Sequence, residues 1–141
     1  MLYRNYHNSY FTDYYDKERW YKMFGSKEDR LRKLIRKNRW GKISKILETA
    51  DSQTKILFAS ECGSTKNEKS LNYLIALLRD DDEKVQLEAV KALGLLGKDS
   101  AKTHLLDILN NLPKEKTELY NAIRESISKI NEAIAETSKA M

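Results

Sequence analysis

Residues 74–97 read Leu74-Ile-Ala-Leu-Leu-Arg-Asp-Asp-Asp-Glu-Lys-Val-Gln-Leu-Glu-Ala-Val-Lys-Ala-Leu-Gly-Leu-Leu-Gly97. Leu74, Ile75 and Leu78, with Leu71 just upstream, recur at steps of three and four and therefore share one helical face. Val85, Ala89, Val90, Leu93 and Leu96 form a second such face. Between the two stand Asp80, Asp81 and Asp82. These carboxylates end the first helix and suit the positive N-terminus of the second. Gly97-Lys98-Asp99-Ser100 closes the second helix. Links this short predict an antiparallel helical hairpin.

The same grammar extends in both directions. Upstream, Leu31, Leu34 and Ile35 follow Ser26, a predicted N-cap, and Ile43, Ile46, Leu47 and Ala50 form the next stripe. Phe58, Ala59 and Cys62 carry the stripe of residues 54–62. Downstream come Leu105, Ile108, Leu109 and Leu112, then a long helix through Leu119, Ile123, Ile127, Ile130 and Ile134. Gly41, Asp51-Ser52 and Gly63-Ser64-Thr65 are read as breaks, and Pro113 as the start of the last helix. No stretch alternates with period two, so no sheet is predicted.

The block repeats. Val85, Gln86, Ala89, Ala92, Leu93 and Gly94 resemble the Val-Arg-x-x-Ala-x-x-Ala-Leu-Gly pattern of short HEAT-like repeats, the type also found in bilin lyases, with Gln86 in place of the usual arginine. One unit earlier, Asp51, Thr54, Lys55, Ala59, Cys62 and Gly63 hold similar positions, with Phe58 and Glu61 where the later unit has Ala89 and Ala92. A third unit spans about residues 101–130 and keeps mainly the helix pattern. The resemblance covers roughly residues 26–138. It implies an all-α short solenoid of about three HEAT-like hairpins. Stacking lets each hairpin bury faces it cannot bury alone, and the open ends need covers. An aromatic segment, residues 1–25, is the predicted N-terminal cap, and the isoleucine-rich helix the C-terminal one; residues 26–141 form the repeat domain. The small residues Ala89, Ala92 and Gly94 are read as close-approach positions between helices.

Composition agrees. The 141 residues include one Pro and five Gly, too few turn residues for a many-stranded sandwich, and 40% are hydrophobic, enough for a core. Apolar runs are too short to span a bilayer, the N-terminus has no signal-peptide core, and a lone cysteine fits a reducing cytoplasm. The net charge is +5, but residues 1–47 carry 13 Lys/Arg against 5 Asp/Glu, while the remainder is mildly acidic. Nine aromatic residues lie within residues 1–24. That segment reads as a cap, with a docking arm or homodimer contact as the functional alternative.

Catalytic chemistry is not signalled. Neither His7 nor His104 has partners at metal-ligand spacing, and Cys62 occupies a leucine-like core position. The Asp80–Glu83 run lacks the spacing of a calcium loop and reads as capping. No catalytic residue, metal or cofactor is expected. Two binding surfaces are. The inner helical row, counted by repeat shifts of 31 and 33 residues, gives an apolar strip of Ile56, Leu57, Leu87, Leu95 and Tyr120 edged by Lys91 and Arg124, suited to a protein or peptide partner. A basic patch of Arg32, Lys33, Arg36, Lys37 and Arg39 offers the alternative, nucleic acid or an acidic partner.

Overall fold

The computed structural model describes residues 25–140. Among these, seven α-helices and one 3-10 turn follow in order: α1 (Lys27–Arg36), α2 (Trp40–Glu48), α3 (Ser52–Ser64), the 3-10 turn (Glu68–Ser70), α4 (Leu71–Leu77), α5 (Glu83–Leu96), α6 (Ser100–Asn111) and α7 (Thr117–Ala140). No strand occurs among the described residues. The proposed aromatic cap, His7 and the docking-arm alternative lie outside the described residues.

Local chemistry sets the helix ends. Ser26 accepts from the Asp29 N–H while Asp29 returns a bond to the Ser26 N–H, a complete capping box at α1. Asp51 caps α3 through the Thr54 N–H, and Asp82 caps α5 through the Lys84 N–H. Gly97 stops α5 in the left-handed region, at φ +66. Asn38 and Lys66 take the same role after α1 and α3, at φ 54 and 50. In both, the next two N–H groups fold back to carbonyls of the last turn, from Asn38 and Arg39 to Ile35 and Leu34, and from Lys66 and Asn67 to Gly63 and Cys62. Two sequence boundaries are corrected. Gly41 lies inside α2, because the break falls at Asn38. Pro113 sits in a turn before α7, its carbonyl accepting from the Lys116 N–H.

α1 and α2, α4 and α5, and α6 and α7 pack as hairpins, and α3 lies between α1 and α5. The even-numbered helices form one layer. The odd-numbered ones form the other, and the heaviest packing is α3 on α5 and α5 on α7. Phe58, Cys62, Leu74, Val85, Ala89, Leu93, Leu105, Ile123 and Ile130 are wholly buried between the layers. In the outer part, Trp40 of α2 stacks on Tyr73 of α4 at 5.3 Å, and Phe58 of α3 meets both rings edge-on.

Close approach within the odd-numbered layer depends on small residues. A Cβ on Gly63 would lie 2.9 Å from the Ala92 Cα, and one on Gly94 would lie 2.7 Å from the Ser126 Oγ. Ser126 is buried and satisfies its hydroxyl by donating to the Val90 carbonyl at 2.8 Å. Ion pairs tie successive units: Lys55 to Asp80 at 2.6 Å, Lys116 to Glu83 at 2.6 Å, and Lys98 to Glu68.

Candidate functional site

The odd-numbered helices run parallel, since one reversing helix separates each from the next, and their outer flanks make one continuous surface. On α3 this flank is fixed by its neighbours. Phe58 points to the even-numbered layer, Glu61 reaches α1, and Gly63 meets α5. What remains outward is Gln53, Ile56, Leu57, Ser60 and Ser64, a stripe without charge. On α5 the equivalent stripe is Lys84, Leu87, Glu88, Lys91 and Leu95. Ile56, Leu57 and Leu87 are half-buried and pack against the core, whereas Leu95 is 42% exposed and lies over Gly63. Lys91 pairs with Glu88 at 3.3 Å. A groove of 410 Å³ opens between α1 and α3, lined among others by Leu31, Arg32, Ile56, Leu57, Ser60 and Glu88.

The structure separates Tyr120 and Arg124 from this strip. Gly63 and Gly94 are 31 residues apart, but the residues they touch, Ala92 and Ser126, are 34 apart. The last repeat therefore shifts by 34 residues, not 33. Ser126 faces α5. At roughly 100° per residue, Arg124 is turned about 200° away and points off the end of the stack. Tyr120 lies on the α6 side, beyond buried Ile123, with the Arg124 guanidinium over its ring at 5.8 Å. The 34-residue spacing instead turns Glu118, Asn121, Ala122, Glu125 and Lys129 inward, with Lys129 3.4 Å from Glu125. That stripe was readable in the sequence, but only with the correct register.

The basic patch also divides. Arg32 is occupied: its Nε lies 3.3 Å from Glu61, which is only 18% exposed, and its Nη1 is 3.5 Å from Asp29. It joins α1 to α3. Lys33 and Arg36 are exposed on α1, away from its buried Leu31 and Ile35, while Lys37 and Arg39 are exposed in the turn after α1.

Reactive chemistry is sparse among the described residues. Burial pushes the Cys62 thiol up to about 12, so it carries no thiolate at neutral pH. Asp80 is held below the usual carboxylate range chiefly by its hydrogen bond from Lys55, and Asp82 by hydrogen bonds from Ser52 and the Lys84 N–H. The acidic run is thus used in pairing and capping. No group of three His, Cys, Asp or Glu residues among those described could hold a metal ion. None of the described helices is long and apolar enough to cross a membrane.

No curated protein and no solved structure matches the chain. A family model described as HEAT repeats matches residues 42–124, from α2 into the second turn of α7. The span takes in α3 to α6 whole, with the Gly63–Ala92 contact, and the first two turns of α7. The chain belongs to the HEAT-repeat family, whose members generally mediate protein interactions and scaffolding and are typically non-enzymatic.

Proposed function

We propose that this protein is a non-catalytic binding module that holds a protein or peptide segment on the inner surface of its odd-numbered helices. The supporting observation is the uncharged α3 stripe continued by exposed Leu95, in a chain of which 33% is charged. Ile56, Leu57, Leu87 and Leu95 supply the apolar contact, and Lys91 a polar edge. A cytoplasmic setting belongs to the same proposal, supported by the lone, buried thiol of Cys62.

A photo-crosslinking residue placed at Leu95, with Leu106 of α6 as the control, tests the reading. Leu106 is equally exposed, at 41%, but on the other layer. Protein adducts from position 95 and not from 106 are expected. Equal labelling from both positions removes the inner surface as the site.

Nucleic-acid binding is the second reading, supported by exposed Lys33, Arg36, Lys37 and Arg39 at one end of the array. Retention of a 20-nucleotide strand at low salt, falling steeply as salt rises and lost in Lys33→Glu/Arg36→Glu, is its expected signature. No retention at low salt disposes of it.

A further inference from the structure

We propose that the stretch Trp20-Tyr21-Lys22-Met23-Phe24 covers the first end of the array by laying its aromatic rings in the groove between α1 and α2. This contact lies apart from the inner surface and stands or falls without it.

The groove has a volume of 360 Å³. It is lined by Lys27, Arg30, Leu31 and Leu34 of α1, Ile46 of α2 and Thr54 of α3. Its charged residues are both cations, and no carboxylate lines it among the described residues. Leu34 and Ile46 are only half-buried. Among the described helices α1 is the first of its layer, with α3 on one flank. This end of the stack therefore has apolar surface to cover. A cavity of about 150 Å³ holds benzene, so the groove has room for roughly two rings.

The occupant follows from what adjoins the groove. Nine aromatic residues lie within residues 1–24, and Trp20, Tyr21, Met23 and Phe24 stand directly ahead of Gly25. The chain enters the described fold at Gly25, two residues before Lys27. Gly25 takes the left-handed region at φ +76, so the backbone bends just before the Ser26 cap. At full extension Phe24 reaches about 11 Å from Lys27, and Trp20 about 25 Å. From Lys27 to Leu34 the groove runs about 10 Å along α1. Both rings can therefore enter it. A tethered segment also meets the groove at a millimolar effective concentration, which a free peptide or a second copy has to match.

The adjoining groove between α1 and α3 is the other surface within reach. It shares Lys27, Leu31 and Thr54, but Glu28, Asp51 and Glu88 line it as well. The face of an aromatic ring carries partial negative charge. It is repelled by those carboxylates and drawn to the Arg30 guanidinium, which lines the α1/α2 groove alone. The rings thus settle between α1 and α2, and the inner surface stays open to a partner.

The test places a diazirine-bearing aliphatic residue in the full chain at Leu34, at Leu57 in the inner groove, or at Leu106 on α6. Each replaces a leucine with little change of shape. Mixing isotope-labelled and unlabelled chains separates adducts within a chain from those between chains. Adducts within one chain from position 34 to residues 20–24 are expected, well above those from 57 and 106. Trp20→Ser/Tyr21→Ser/Phe24→Ser should abolish them, and should quicken backbone hydrogen exchange in α1 and α2 about tenfold while leaving α5 and α7 unchanged. Adducts to residues 20–24 that are as strong from position 57 put the segment on the inner surface and overturn this cap. Adducts mainly between chains give the groove to a second copy and overturn it too. So does the absence of adducts from position 34 to residues 20–24, or exchange in α1 and α2 that the three serines leave unmoved.

Discussion

Gly63 of α3 and Ala92 of α5 approach so closely that a single added Cβ on the glycine would sit 2.9 Å from the alanine backbone. The contact recurs one unit later between Gly94 and Ser126. Together they set the spacing of the inner layer and hence the shape of the surface it presents.

Gly63→Ala and Gly94→Ala are each expected to destabilise the fold. Helix propensity favours alanine by about 1 kcal/mol, but overpacking against a neighbouring helix costs roughly 1–3 kcal/mol and wins where backbone must move. Gly41→Ala is the control, because nothing lies within 4 Å of its added Cβ on exposed α2. It should raise stability by about 0.5–1 kcal/mol. Urea midpoints for the three variants check this, and a stabilised Gly63→Ala would show that the layers can part without penalty.

Lys66 follows α3 at φ 50, a conformation that costs a non-glycine residue about 1–2 kcal/mol. Lys66→Gly relieves that strain but adds freedom to the unfolded chain, so a net gain of about 0.5–1 kcal/mol is expected. Gly97→Ala should act in the opposite sense, since its φ is +66 and a Cβ there would meet the Ala133 Cβ at 2.8 Å. Thermal midpoints moving in the same direction for both variants would contradict the reading.

Acid should weaken the protein through its caps and inter-repeat pairs. Asp29, Asp51, Asp80 and Asp82 are all held below their ordinary value of 3.8 by hydrogen bonds to their charged forms. A depressed folded value means stability that is present above the unfolded value and lost as pH falls through the folded one. Their contribution should therefore be constant above about pH 5 and decline below pH 4. Urea titrations from pH 7 to 2.5 read this out. Asp80→Asn, which removes the charge facing Lys55, should shallow the decline while lowering the plateau.

Cys62 is wholly buried, and its thiol is pushed up to about 12. A thiol-specific reagent at neutral pH should modify it only at the rate at which the fold opens, and promptly in denaturant. Rapid labelling of one thiol in the native protein would count against this core.

Residues 74–97 could be read as a hairpin because periodicity, capping carboxylates and a terminal glycine all agreed there. The boundaries at Gly41 and Pro113 misled for a physical reason. Asn38 adopts the left-handed conformation that glycine takes more readily, and a proline four residues ahead of a helix can shape the approach as well as start it. The inner strip was legible on α3 and α5, where Gly63 and Gly94 mark a shift of 31. It was not legible on α7, where the matching small residue is Ser126 and a one-residue error turns the helix by about 100°. Arg32 illustrates a different limit. A helical wheel places it on a basic face, but only packing brings Glu61 from α3 within reach.

On α5, the flank turned toward the next helix is Val90 and Gly94; on α7, the corresponding flank is Arg124 and Ser128, with register set by Ser126. Where α5 invites a neighbour, α7 refuses one: another unit could join there only by stripping water from a guanidinium and losing the glycine notch. Successive helices of one layer thus end in unlike faces, and whatever covers this flank of α7 has to accommodate a guanidinium and a hydroxyl where α3 and α5 offer each other glycine.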